Sequence, residues 1–84
     1  MSHDQVLGEI STILSTVAGV DPAEVTLQTS FTHDLGIDSM TMVEVIVAAE
    51  DRYGLLIPDD EWSRFSTVAD LSAYVEQAGV GAPS

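Results

Sequence analysis

The sequence predicts an all-α protein, a four-helix bundle of three main helices and one short helix, with a long loop between the first two. Three stretches repeat apolar residues at the spacing of one helix face. Capping residues, glycines and a proline mark where these stretches begin and end. The chain has 84 residues, of which 45% are hydrophobic, enough for one core and too few for two. We therefore expect a single domain over residues 1–84, with residues 79–84 as a flexible tail.

The first helix is predicted from Asp4 to Val17. Asp4 suits the N-cap position, and Gly19 suits the C-terminal stop. The apolar residues of this segment share helical spacing and form one stripe: Val6, Leu7, Ile10, Ile13, Leu14 and Val17.

A long connection is predicted from Val20 to Asp38. Its start, Asp21-Pro22, indicates a turn or the beginning of a short helix. Its apolar residues have no clean period and could fix an ordered loop on the core: Val25, Leu27, Phe31, Leu35 and Ile37. A loop of this length is unusual in so small a domain unless it has a function.

The second helix is predicted from Ser39 to Tyr53, with Asp38 as its cap and Gly54 as its end. It carries an ordinary inward stripe, which consists of Met42, Val45, Ile46, Ala49 and Tyr53.

Two further helices are predicted after Gly54. Pro58 suits the first position of a short third helix, since acids follow it at residues 59–61, near the positive end of the helix dipole. Trp62 and Phe65 can anchor this piece. Thr67 can cap the last helix, and Asp70 can reach back to it as in a capping box. The inward face of the last helix is expected to comprise Val68, Leu71, Tyr74, Val75 and Ala78.

The second helix has a second apolar stripe, formed by Met40, Val43 and Val47. A bundle of this size cannot easily bury both stripes, so we expect the second one to be exposed and to serve as a docking surface. The alternative is that the long loop covers it. Acidic residues border this stripe and would suit a partner that carries Arg or Lys around an apolar groove: Glu44, Glu50 and Asp51.

The charge balance excludes several classes of partner. Two arginines and no lysine stand against fourteen acidic residues, for a formal net charge of −12. Nucleic acid binding needs a basic surface, and an anionic membrane would repel this chain, so we expect neither as a partner. Cysteine is absent, which excludes disulfides and thiolate metal sites. No stretch has the pattern of a signal peptide or a membrane span, so the expected location is the cytoplasm.

Ser39 stands where the long loop gives way to the second helix. Free backbone N–H groups and the positive dipole end favour a phosphate at such a point. Serine is also common at helix starts, so a purely structural role is the alternative. No catalytic group of residues is evident, because Ser39 lacks the glycine-flanked elbow of a hydrolase nucleophile. The acidic residues lack the spacing of a calcium-binding loop, and no metal site is predicted.

The run Asp-Leu-Gly-Ile-Asp-Ser-Met at residues 34–40 is similar to the attachment motif of acyl carrier proteins, in which a serine follows an aspartate at the start of the second helix. Nearly the whole chain, from Val6 to Gln77, resembles this family. The matching segments keep the family's spacing and lie at residues 41–45, 50–54, 57–60 and 67–71. The resemblance implies a four-helix bundle of the acyl carrier type and a 4′-phosphopantetheine attached covalently to Ser39.

The resemblance also implies how the chain works. A phosphopantetheinyl transferase would supply the group from coenzyme A, using magnesium and recognising Asp38. The arm's thiol would carry an acyl group as a thioester to an acyltransferase, a ketosynthase or other acyl-processing enzymes with basic docking patches. The chain would be a monomer without catalytic activity. Its residues at the family's partner-facing positions are Met40, Val43, Glu44, Val47, Glu50 and Asp51.

Three functions follow from these patterns. The first is a discrete acyl carrier of a dissociated fatty acid or polyketide pathway, with a specialised-metabolite pathway left open. Its second helix looks closer to carriers of fatty acid synthesis than to those of aromatic polyketide synthesis. A peptidyl or aryl carrier loaded by an adenylating enzyme is an alternative. A second alternative is an acidic interaction module that never carries an arm.

Two residues are not explained by the resemblance. Thr41 occupies a position at which many members of the family have an acidic residue. The sequence does not determine whether the Trp62 side chain faces the interior or the solvent.

Magnesium or added salt is expected to raise the melting temperature, because a net charge of −12 makes the folded chain repel itself and ions screen that repulsion. Thermal melts followed by circular dichroism across ionic strengths would measure the effect. A melting temperature that does not change with ionic strength would contradict it.

Overall fold

A computed structural model describes residues 3–78. The order of its α-helices is α1 (His3–Ala18), α2 (Ser39–Tyr53), α3 (Asp59–Trp62) and α4 (Val68–Gln77). These residues contain no β-strand, only an isolated bridge between Ser30 and Thr67, so the prediction of an all-α bundle is confirmed.

Two other predictions concern the ends of the chain and the membrane. The predicted tail, residues 79–84, lies outside the described residues. Across residues 3–78, no helix has both the length and the apolar character that a membrane crossing requires.

Helix α1 packs against α2 and α4 through its apolar stripe. Four members of the stripe are buried, and Leu7 and Val17 are half-buried at its edges. The buried members are Val6, Ile10, Ile13 and Leu14. The helix ends at Gly19, whose φ of 69° is the left-handed conformation that glycine adopts without strain. Asp4 lies inside the first turn, so its predicted role as the N-cap is wrong.

The connection between α1 and α2 is ordered along its length. It begins with a short 3₁₀ helix, Pro22–Glu24, which the Asp21 side chain caps by accepting the N–H of Ala23. Three of its predicted core residues are buried: Val25, Phe31 and Ile37. Leu27 and Leu35 are half-buried. The expectation that apolar side chains fix this loop on the core is confirmed.

Backbone hydrogen bonds join this loop to the start of α4. The N–H groups of Val68 and Ala69 donate to the carbonyls of Thr29 (3.0 Å) and Leu27 (2.9 Å). In return, the Phe31 N–H donates to the Ser66 carbonyl at 3.0 Å. The first N–H groups of a helix have no partner within the helix, so the loop supplies acceptors that α4 needs.

The last two helices follow the predicted pattern with small differences. Pro58 immediately precedes α3 instead of opening it, so that helix begins one residue later than expected. Asp70 reaches back as predicted, and its carboxylate accepts the N–H groups of Ser66 (2.7 Å) and Thr67 (3.1 Å). Ala78 is exposed after the end of α4, so its placement on the inward face is wrong.

A polar contact ties α1 to α2. The Arg52 guanidinium donates to Glu9 Oε2 at 3.0 Å, and the Tyr53 hydroxyl lies beside the same carboxylate. Burial pushes the pKa of Glu9 upward, but the Tyr53 hydroxyl and the Arg52 guanidinium outweigh it, so the pKa lies below its ordinary value. Burial and the adjacent carboxylate raise the pKa of the Tyr53 hydroxyl well above its ordinary value. Tyr53 therefore stays neutral at physiological pH.

Replacing Phe31 by alanine is expected to cost about 3–5 kcal/mol of unfolding free energy, since the substitution empties a buried aromatic site. Phe31 is only 2% exposed, and it joins the loop to the helices. Urea unfolding would measure the loss. The matched control is Thr32→Ala, which removes an exposed side chain from the next position and should leave stability nearly unchanged. Equal effects of the two substitutions would contradict the role given to Phe31.

Candidate functional site

Ser39 lies at the first position of α2, with its side chain exposed. The preceding segment fixes its location. Gly36, with a φ of 64°, closes a turn in which the Ile37 N–H donates to the Phe31 carbonyl at 2.9 Å. Among residues 3–78, no group makes a hydrogen bond to the Ser39 hydroxyl, which leaves that oxygen available for modification.

Asp38 is the N-cap of α2, as predicted. Its Oδ1 accepts the Thr41 N–H at 2.8 Å, and its backbone is extended. Hydrogen bonds from the backbone N–H and the hydroxyl of Thr41 hold the pKa of Asp38 below its ordinary value. The helix therefore begins with one fixed carboxylate, directly beside the exposed hydroxyl of Ser39.

A cleft of about 180 Å³ opens beside Ser39. Its walls are mainly apolar and come from the long loop, α2 and the segment around α3: Phe31, Ile37, Met42, Trp62 and Phe65. Trp62 is half-buried against the core, and its indole N–H donates to Asp59 Oδ1 at 3.0 Å. Trp62 thus forms one wall of the cleft, which settles the orientation that the sequence left open.

The second stripe of α2 is exposed, as predicted. Met40 is 76% exposed, Val43 44% and Val47 50%, so the alternative in which the long loop covers them is wrong. Glu44 and Asp51 are exposed beside the stripe. The arrangement is an apolar strip with a carboxylate rim, starting at Ser39 and running along α2.

The exposed stripe also borders a wide, open groove of about 520 Å³ between α1 and α2. Thr16 and Val17 of α1 form its far side, and Val43 and Val47 form its near side. The apolar surface is therefore broader than the single helix face that the sequence indicated.

Glu50 is placed differently from the other two acids. It is half-buried, and its Oε2 accepts the backbone N–H of Ile57 at 2.7 Å. This carboxylate holds the segment between α2 and α3 against the helix. The same segment exposes Leu56, which sequence reasoning missed because residues 54–58 have no helical or strand period that would distinguish an inward from an outward side chain.

The remaining side chains give no sign of catalysis or metal binding. In the part of the chain that the structure describes, no group of three or more histidine, aspartate or glutamate side chains is arranged to hold a metal ion. His33 lies in the long loop, and its side chain is exposed.

Comparison with known proteins matches this site to a family. The family model described as "Phosphopantetheine attachment site" matches residues 8–75. The chain is 42% identical over 79 residues to an acyl carrier protein of Rhodococcus erythropolis, covering 92% of this chain and 87% of that protein. It is 43% identical over 82 residues to an acyl carrier protein of Acidothermus cellulolyticus, covering 98% of each. A meromycolate extension acyl carrier protein of Mycobacterium tuberculosis is 39% identical over 77 residues, covering 92% of this chain and 67% of that protein.

The substitution Asp38→Ala should lower stability at neutral pH, because the first turn of α2 loses its acceptor. A carboxyl group whose pKa is lowered by folding stabilises the fold above its unfolded pKa, near 4, and this stabilisation is lost as the pH falls through the folded pKa. The melting temperatures of the wild type and of the Asp38→Ala variant should therefore converge as the pH is lowered below about 4.

Melting curves at pH 7 and at pH 3 would measure this convergence. The substitution Glu44→Ala is the control, because it removes an exposed acid from the same helix without removing a cap. A difference between wild type and Asp38→Ala that stays constant with pH would contradict the capping role.

Proposed function

The chain belongs to the acyl carrier proteins, and we propose that Ser39 is the residue to which its 4′-phosphopantetheine is attached. Proteins of this family are carriers and not catalysts. The arm, when bound, supplies a thiol that holds an acyl group as a thioester. The task of the chain's own residues is to present that arm and to be recognised.

The observation that carries the assignment is the state of the Ser39 hydroxyl. It is exposed at the first position of α2, and it has no hydrogen-bond partner among the described residues. The amide groups at a helix start and the helix dipole stabilise a negatively charged phosphodiester. The apolar cleft beside Ser39 offers room of about 180 Å³ next to the attachment point. The residues present therefore fit the group.

Asp38 is proposed to mark the site for the phosphopantetheinyl transferase. Its Oδ1 is held by the Thr41 N–H, and its lowered pKa keeps it ionised at neutral pH. A fixed negative charge adjacent to the target hydroxyl gives the transferase a stable feature to recognise. Asp38 would thus have two roles, as the N-cap of α2 and as a recognition residue for the transferase.

The exposed stripe of α2 is proposed to be the docking surface for the transferase and for acyl-processing enzymes. Met40, Val43 and Val47 provide apolar contact, and Glu44 and Asp51 provide negative charge. Complementary charge on a basic enzyme surface raises the rate of encounter and fixes orientation. We propose that the chain acts as a monomer, presenting this surface to one enzyme at a time.

The proposed cargo is the growing acyl chain of a dissociated fatty acid pathway. Relatives at 39–43% identity are named acyl carrier protein and meromycolate extension acyl carrier protein. The match to this group favours an acyl carrier over a peptidyl or aryl carrier and over an interaction module without an arm.

Incubation with coenzyme A, magnesium and a broad-specificity phosphopantetheinyl transferase should add one phosphopantetheine to the wild-type chain. The substitution Ser39→Ala should abolish the addition, because the other hydroxyl in the first turn of α2, that of Thr41, is hydrogen-bonded to Asp38. Intact-mass spectrometry measures both outcomes. A folded wild-type chain that gains no mass, or a Ser39→Ala variant that still gains it, would refute the attachment site.

A further inference from the structure

Leu56 is the most exposed large hydrophobic side chain described in residues 3–78, at 81%. It lies in the segment that connects α2 to α3, outside the stripe predicted from the sequence. A single exposed leucine needs no explanation by itself. Its surroundings are informative, because they hold the side chain in a defined place.

Two polar contacts fix the backbone of Leu56. On one side, Glu50 Oε2 accepts the N–H of Ile57 at 2.7 Å, which holds the peptide joining Leu56 to Ile57. On the other side, the Tyr74 hydroxyl donates to the Leu56 carbonyl at 3.3 Å. Leu55 packs against the core, and Ile57 is buried, so the side chain between them faces solvent.

The same contacts place Leu56 next to the exposed stripe of α2. Glu50 follows Val47 by three residues, and residues three apart are neighbours on a helix surface. The Leu56–Ile57 peptide is bonded to the Glu50 carboxylate, so Leu56 lies near the C-terminal part of α2, the end that is farther from Ser39. An exposed apolar side chain therefore follows the exposed stripe at the far end of α2.

We propose that Leu56 is a contact residue of the docking surface, and that Glu50 is a positioning residue that holds Leu56 there instead of pairing with a basic group of the partner. The proposal rests on the proposed function. The occupant is the phosphopantetheinyl transferase, which would present an apolar pocket to Leu56 and basic side chains to Glu44 and Asp51.

The reach of such an enzyme supports this assignment. Eleven residues of helix separate Ser39 from Glu50, which is a rise of about 16 Å. A standard interface buries about 800 Å² on each partner, a patch about 30 Å across. An enzyme that holds Ser39 in its active site and lies along α2 therefore extends over Leu56.

The charges beside Leu56 favour a basic occupant. Glu44 and Asp51 are exposed and free to meet Arg or Lys, whereas Glu50 already accepts a backbone N–H. The chain has only two basic residues, of which Arg52 is paired with Glu9. The other, Arg64, is exposed and follows α3, outside both α2 and the 54–58 connection.

The test is the kinetics of arm transfer from coenzyme A, with the carrier as the varied substrate and intact mass as the readout. The substitution Leu56→Ser should raise KM about fivefold, as expected for loss of a well-buried interface side chain. It should leave kcat and the melting temperature unchanged, because the contact serves binding and not chemistry. The control is Ala73→Ser, an exposed position on α4, which should change neither constant.

Two substitutions of Glu50 separate positioning from charge. The substitution Glu50→Gln keeps an oxygen that can accept the Ile57 N–H, so its KM should stay near that of the wild type. The substitution Glu50→Ala removes the acceptor and should raise KM. The double variant Glu50→Ala/Leu56→Ser should raise KM, relative to the wild type, by less than the product of the two single fold-changes. The reason is that both substitutions disturb the same contact, and the free-energy effects of coupled residues do not add. The substitution Asp51→Asn, by contrast, should raise KM.

The outcomes are distinct. A wild-type chain that is modified at Ser39, together with a Leu56→Ser variant whose KM is unchanged, would overturn the contact role and leave the proposed function intact. A Glu50→Gln variant as impaired as Glu50→Ala would overturn the positioning role. A wild-type chain that gains no phosphopantetheine would refute the proposed function itself.

Discussion

The fold depends on the burial of the loop between α1 and α2. Phe31 is the largest fully buried side chain, and it lies in this loop and not on a helix. The loop also gives the carbonyls of Leu27 and Thr29 to the first N–H groups of α4. The burial of Phe31 and these hydrogen bonds support each other. The first N–H groups of α4 need acceptors, and the carbonyls of a buried loop need donors. The loop in this protein is therefore as much a part of the core as the helices.

The buried loop also decides where Ser39, the proposed attachment residue, lies. The turn that places Ile37 in the core ends immediately before Asp38 and Ser39. Asp38 caps α2, and Ser39 emerges into solvent from a fixed backbone. If the arm is attached at Ser39 as proposed, this fixed backbone defines the point from which the flexible arm extends. The long connection thereby holds the start of α2 in place.

The sequence predicted most of the fold because its signals were local. The caps at Asp38 and Asp70 and the glycine stop at Gly54 depend on neighbours within a few residues, and the structure has each of them. The inward and outward stripes of α2 followed from the helical period. Ser39 was predicted to be the attachment residue only because its motif resembles that of a family, since a serine at a helix start is otherwise ordinary.

The features that the sequence did not predict are set by tertiary contacts. Glu50 looked like a rim residue, since its helix position is on the border of the stripe, yet its carboxylate accepts the N–H of Ile57. Leu56 could not be assigned a side, because a five-residue connection has no period. The wall formed by Trp62 depends on how α3 packs, and a helix of four residues has too little pattern to fix its own orientation.

The acidic rim has a consequence for how copies of this chain behave toward each other. An exposed stripe of Met40, Val43 and Val47 would match the same stripe on a second copy. Two such stripes cannot approach closely without bringing Glu44 and Asp51 of each copy within a screening length of about 8 Å. The carboxylates that we propose attract a basic enzyme therefore also disfavour pairing between two copies of the chain. A crowded pool of carriers can stay dispersed, with each copy free to move between enzymes.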